Sequence, residues 1–324
     1  MTDVEFQIDN FMLYCTSKNL AKKTLASYEQ SLKLFAQYLQ REHNVDEVKR
    51  IQSGHIRHYI KYLRERGKYT VAVKESTKGI NYPDHRTDYR KPISSTTIAN
   101  YIRNIKVFFN YLHKVEREIS KNPMETIETI KPERKVKQTL TNQEIKQLLH
   151  AFDVSTLHGY RNATITRLLF DTGMRVNECL SLLPEHIDFI HRSILITNAK
   201  NKQERFVYFS PTMTNELKRW LQYKDRYVQS NFVFPTTKGT KLEVRNFEYA
   251  LRQVGQKIGV HIHPHLLRNN FAKYYILNGG DWFTLSRILG HSSVEVTQKA
   301  YLDFTDEEIS KKYQKHSPLQ HLEG

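Results

Sequence analysis

The stretch KNPMETIETIKPERKVKQTLT, residues 121–141, constrains the fold of this chain more than any other feature. Pro123, Pro132 and a run of alternating charges leave it without a sustained apolar period. Proline fixes φ and removes an amide donor, so the segment reads as an extended linker at 121–140. A linker there divides 324 residues into two domains, each of ordinary size for one core. With 39% hydrophobic and 26% charged residues, both halves have enough apolar content for a core, which argues against disorder, collagen and coiled coil.

Upstream of the linker, apolar residues recur at helical spacing. Leu25, Tyr28, Leu32, Phe35 and Leu39 mark one helix. Ile56, Tyr59, Ile60 and Leu63 after Ser53 mark a second, and Ile98, Tyr101, Ile102, Ile105, Phe109 and Leu112 after Thr97 a third. Arg57, Lys61 and Arg64 form a basic stripe on the second helix, and Arg103 with Lys106 lies on a polar face of the third. These patterns predict a small helical domain over residues 1–120 whose basic faces meet solvent or phosphate. Residues 67–94 interrupt it as a long basic insertion containing Gly67, Gly79, Pro83 and Pro92. Its length fits a flexible loop on a DNA or subunit face, with TVAV as a short strand.

Lys and Arg number 50 against 34 Asp and Glu, a formal charge of +16. Residues 51–150 hold 20 basic and 10 acidic side chains, so most of the excess sits in the helical domain and linker. Charge of this kind fits nucleic acid, an anionic membrane or an acidic protein. No run of 18 apolar residues exists, and MTDVEFQIDNF carries acids where a signal peptide has a basic flank, which predicts a cytoplasmic protein without a membrane partner. Two cysteines, Cys15 and Cys179, make neither a disulfide framework nor a thiolate zinc site.

Beyond the linker, Thr141 and Glu144 form a T-x-x-E capping box ahead of Ile145, Leu148, Leu149 and Phe152. A helix ends near Gly173, SILITN and RFVYF read as a hairpin, and Ser210-Pro211 starts another helix. The second domain, 141–304, is therefore mostly helical with a small sheet. A tail at 305–324 opens with a second T-x-x-E pair, Thr305 and Glu308, before a short helix with Ile309 and Tyr313.

Four patches of the second domain carry reactive residue types: DTGMRVNECLSL with Arg175 and Glu178, ITNAKNKQERFVYF with Lys200 at a hairpin tip, HPHLLRNNFA with His265 and Arg268, and LGHSSVEVTQKAY with His291 and Tyr301. Lys202 and Arg205 compete with Lys200 for the hairpin role. The alternation His261, His263, His265 invites a metal reading, but Pro264 interrupts it and no Cys or carboxylate lies close in sequence, so no metal is expected.

Read in order, these patches resemble the tyrosine recombinase (phage integrase) family of site-specific DNA recombinases. The family pattern is an Arg in T-G-x-R-x-x-E, a Lys on a β-hairpin, H-x-x-R, a His or Trp in L-G-H, and a Tyr shortly after. The resemblance covers nearly the whole chain, including TLASYEQSLKLFAQYL and TLTNQEIKQLL. It implies a SAM-like helical core-binding domain plus a mixed α/β catalytic domain, closing as a C-shaped clamp on double-stranded DNA with inverted half-sites. It implies a homotetramer on DNA, accessory recombination proteins in some members, and no cofactor. Arg175, Arg268, His265 and His291 would meet the charge that develops on the phosphate oxygens. His265 would also serve as a base, Lys200 as the acid for the leaving oxygen, and Tyr301 as nucleophile, with Glu178 orienting its neighbours. The C-terminal helix would dock on a neighbouring protomer.

Two departures stand out. The interval from His291 to Tyr301 is one residue longer than usual, a rotation of about 100° of helix that a loop or bulge must absorb. Asn269 stands where a His commonly follows the H-x-x-R Arg. The 67–94 insertion and the chain length favour a mobile-element integrase or transposase over a chromosome- or plasmid-dimer resolution enzyme. A type IB topoisomerase and a non-catalytic DNA-binding regulator are the readings from other classes.

Overall fold

The apolar periods read from the sequence become helices, with a capping side chain ahead of some and none ahead of Lys22–His43. The computed structural model describes residues 1–71, 82–130, 139–197, 204–301 and 304–314, apart from the helix side chains at 300, 301, 311 and 312. The chain divides into two units, Met1–Lys135 and Val136–Gly324.

In the first unit α1 (Asp3–Ser17), α2 (Lys22–His43), α3 (Ser53–Glu65) and α4 (Ser95–Lys114) surround one core. The helix α1 precedes the first helix read from the sequence; Thr2 and Glu5 cap it reciprocally. For α4 the cap is Ser94 rather than Thr97, because the Ser94 Oγ accepts the Thr97 amide at 3.3 Å. Phe11, Phe35, Tyr59, Phe108 and Phe109 fill the centre, with Phe11 edge-on to Phe108 at 5.6 Å. One polar device crosses this core: Asn104 of α4 donates to Ser31 Oγ of α2 at 2.9 Å.

The linker reading over 121–140 starts too early. Ile119, Met124 and Ile127 are buried in the first core, so 121–130 belongs to that unit, and residues 131–138 lie outside the described residues. Three apolar side chains at irregular spacing carry no periodic signal, yet they are buried in the same core as the helices. The insertion also has an ordered stem: Gly67 and Pro92 form an antiparallel bridge, and the Lys68 amide donates to Lys91 O at 2.9 Å. Of TVAV, Thr70 and Val71 are described and form no strand, and residues 72 and 73 lie outside the described residues.

The second unit contains α5 (Asn142–His150), α6 (Leu157–Thr172), α7 (Val176–Leu180), β1 (Ile187–Asp188), β2 (Ser193–Ile196), β3 (Arg205–Tyr208), α8 (Pro211–Tyr227), α9 (Val244–Lys257), α10 (Pro264–Leu277), α11 (Trp282–Leu289), α12 (Val294–Tyr301) and α13 (Asp306–Gln314). The expected hairpin is β2–β3, antiparallel with Ile194 opposite Val207, and β1 adds a third strand too short to read from sequence. Buried α6 packs against α10 and α8, which places the Gly173 turn at the end of α6 beside α10. Gly173 has φ +65°, and a Cβ there would lie 2.2 Å from Phe271 Cδ1. On the C-terminal helix α13, Glu308 pairs with Lys273 of α10 at 2.7 Å, while Ile309 and Tyr313 are 54% and 58% exposed.

Candidate active site

Three guanidinium groups converge on the end of one short helix. The last carbonyls of a helix have no partner within it and carry its negative dipole end, so cations gather there. At the C-terminus of α11, Arg205 Nε donates to Ile288 O at 2.8 Å, Arg268 Nη2 to Leu289 O at 2.6 Å, and Arg175 Nη2 to Gly290 O at 3.4 Å. Gly290 takes φ +63° and closes the helix, with the His291 amide on Ser286 O at 3.1 Å. That turn delivers His291 to the arginines.

Each guanidinium arrives from a different element. Arg175 sits in the connection between α6 and α7, directly after the Gly173 turn. Arg268 is 3% exposed on α10, with Nη1 on Gly173 O at 2.7 Å and Nη2 3.2 Å from His291 Nε2. Glu178, 4% exposed on α7, accepts from Arg175 Nη1 at 2.9 Å and from Arg205 Nη1 and Nη2 at 3.0 and 2.7 Å. Burial raises the Glu178 carboxyl, but hydrogen bonds from Arg205 and Arg175 outweigh that and hold it below its ordinary value. His291 Nδ1 lies 2.8 Å from Thr297 Oγ1 on α12. A cleft of about 470 Å³ opens here, lined by Arg175, Arg205, Arg287, His291, Phe206 and Tyr208 among others.

Of the residues expected from sequence, Arg175, Glu178, Arg268 and His291 meet in this cluster. His265 is exposed on the first turn of α10, one turn before Arg268. His263, which caps α10 by accepting the Leu266 amide at 3.1 Å, is held below its usual value by burial and by His261. Among the described residues no group of three His, Cys, Asp or Glu is placed to hold a metal. Lys200 lies outside the described residues, and so does the Tyr301 side chain. The backbone of α12 runs as an unbroken helix to Tyr301, so no bulge inside it takes up the extra residue.

The basic residues expected to bind DNA belong to the first unit. Arg57, Lys61 and Arg64 are exposed on α3, and Arg103 and Lys106 on α4. Arg57 donates to Thr126 Oγ1 at 3.2 Å, and Lys61 stands 3.8 Å from Glu65.

Two more residues join the cluster: Arg205, weighed in the sequence only as a rival to Lys200, and Thr297, not singled out there at all. Arg205 carried a signal: strand alternation puts it on the same face as buried Val207, where a charge needs a buried partner. Thr297 carried none, because its role depends on the turn at Gly290.

A cluster of fixed cations around an imidazole, on a helical scaffold with a small sheet, has the charge and donors that an anionic group calls for. Residues 138–308 match the phage integrase family, and residues 8–78 match the phage integrase N-terminal SAM-like domain. The chain belongs to the phage integrase family: it is a tyrosine recombinase, an enzyme that breaks and rejoins DNA strands. It is 31% identical to tyrosine recombinase XerC of Pediococcus pentosaceus over 89% of this chain and 97% of the relative. Its fold is similar to that of the XerH site-specific recombinase bound to palindromic difH substrate, with TM-score 0.70 and 21% identity over 94% of this chain and 82% of the other. It is similar again to the Tn1549 transposon integrase in complex with a circular intermediate DNA, with TM-score 0.71 and 15% identity over 97% and 100%. No helix among the described residues is long and apolar enough to cross a membrane.

Proposed function

We propose that this recombinase separates joined chromosomes or plasmids by recombining two copies of one DNA site. The observation that supports this reading is the match to a XerC-type relative along 97% of that relative's length. Chain length therefore does not distinguish this protein from its XerC-type relative. The likeness to both XerH and a transposon integrase at nearly equal TM-scores does not separate the two roles, since one fold serves both.

In this reading Tyr301 attacks the scissile phosphorus and the 5′ oxygen leaves, so the 3′ phosphate becomes joined to the tyrosine. Attack by the 5′ hydroxyl of another strand reverses the step and conserves the bond energy. Arg175 and Arg268 take the charge developing on the non-bridging oxygens, with carbonyl and carboxylate partners fixing their direction before DNA arrives. His265 accepts the tyrosine proton, Lys200 supplies one to the leaving oxygen, and His291 donates to the phosphate. The exposed basic faces of α3 and α4 grip phosphates of a half-site. Four protomers act together on two sites in the cytoplasm, with the C-terminal helix available to a neighbour through Ile309 and Tyr313.

The chemistry is tested with Tyr301→Phe on a nicked half-site that traps the covalent intermediate. Loss of the protein–DNA adduct with half-site binding retained is expected; an adduct that persists rejects the nucleophile. The biological role is tested by deleting the gene. Accumulation of joined replicons supports it, whereas monomeric replicons with a mobile element unable to excise rejects it.

A further inference from the structure

Arg205 is outside the recombinase motif, yet it joins the parts that the motif supplies. Its Nη1 and Nη2 form a fork on both oxygens of Glu178, at 3.0 and 2.7 Å, which fixes the plane of that carboxylate. The same two oxygens hold Arg175, Oε1 through Nη1 at 2.9 Å and Oε2 through the backbone amide at 2.8 Å. Any rotation of Glu178 therefore swings both the side chain and the backbone of Arg175. The remaining arm of Arg205 is fixed on Ile288 O at 2.8 Å, next to the carbonyl that Arg268 takes. The fit is close: a Cβ on Gly290 would stand 2.9 Å from Arg205 Cδ and Nε. With its side chain only 10% exposed and its donors directed inward, Arg205 is shaped to hold other groups rather than to grip a duplex.

We propose that Arg205 is a positioning residue that aims Arg175, through Glu178, at a non-bridging oxygen of the scissile phosphate. This rests on the assignment of Arg175 to that phosphate. A residue that only stabilised the fold would slow the reaction of any substrate equally. A residue that aims Arg175 matters in proportion to the charge on the phosphate.

The test uses the full-length protein carrying Arg205→Lys, which keeps the charge and loses the fork. Single-turnover cleavage is measured on a half-site with an ordinary scissile phosphate and on one with a methylphosphonate, in which an uncharged methyl replaces one non-bridging oxygen. On phosphate the variant should be slower by about 100-fold, with half-site affinity within about twofold of the parent. On methylphosphonate the deficit should shrink to about threefold or less, because little charge is left for Arg175 to meet. An equal deficit on both substrates, an unchanged rate, or binding lost in step with cleavage overturns the proposal. If Arg205→Lys does not fold, Arg205→Gln, which leaves Glu178 with Arg175 and keeps an amide donor in place of the fork, is read the same way. A parent that forms no covalent adduct refutes the recombinase chemistry as well; a competent parent matched in rate by the variants refutes this role alone.

Discussion

Arg268 Nη2 lies 3.2 Å from His291 Nε2 while Nδ1 of the same ring faces Thr297 Oγ1 at 2.8 Å. A guanidinium has no acceptor, so Nε2 accepts and the ring proton sits on Nδ1, donated to Thr297. Before His291 can donate to a phosphate through Nε2, this arrangement must give way, by tautomer exchange or by protonation. Thr297 therefore stabilises the resting ring.

Thr297→Val removes the acceptor and preserves the shape. Thr297 is completely buried, so the change should cost about 1 kcal/mol of stability. Single-turnover cleavage should change by about tenfold while half-site affinity holds. A variant with parental cleavage would show that the threonine does not bear on the ring.

The two motif arginines differ in what they support. Arg268 serves Gly173 O and Leu289 O from a buried position, whereas the carbonyl contact of Arg175 is a long 3.4 Å. Both alanine variants should lose at least about 100-fold in cleavage. Chemical denaturation should show about 3 kcal/mol lost for Arg268→Ala and distinctly less for Arg175→Ala, because Glu178 keeps Arg205.

Gly173→Ala combines a left-handed backbone with a Cβ driven into the Phe271 ring. Thermal unfolding should register a loss of about 2 kcal/mol or more, together with slower cleavage because Arg175 follows two residues later. Adding Phe271→Leu should recover part of the stability, the steric share, and leave the backbone share unrecovered.

The first unit should weaken in mild acid. The His55 ring lies tilted against His43 at 4.9 Å between ring centres, and His43 stacks on His58 at 5.6 Å. Burial, then the charges of His43 and His58, lower His55 below its ordinary 6.5. A base with a lowered folded pKa binds its proton more readily when unfolded. Its contribution is thus complete above about pH 6.5 and is lost as pH falls from there toward the folded value. Melting temperature of the first unit should drop across that window, and His55→Gln should flatten the slope.

In the proposed reading the basic faces of α3 and α4 act through phosphate. Single alanine substitutions at Arg57, Lys61, Arg64, Arg103 or Lys106 should weaken half-site and random DNA alike. Each should lower the slope of log affinity against log salt by about 0.9. Substitutions that alter sequence preference without changing that slope would assign base contacts instead.

Much of the fold was legible because its signals are local. Apolar residues three and four apart announced α2, α3 and α4, and the Thr141–Glu144 box announced α5. Signals spread along the chain were not legible: Met124 and Ile127 looked like linker because their partners lie on helices far away in sequence. The two-residue strand β1 was lost for the same reason, since pairing with Ser193 and Ile194 alone defines it.

What the sequence determined by itself was the set of reactive residue types and their order, from Arg175 to Tyr301, because motif spacing is written in the chain. Only the tertiary structure decided how the cations are aimed. Three arginines from three elements take consecutive carbonyls at the end of α11, and Glu178 is shared between two of them. The physical reason is that unpaired carbonyls and a buried carboxylate are properties of a folded helix end and a closed interior. Neither exists until distant segments have packed.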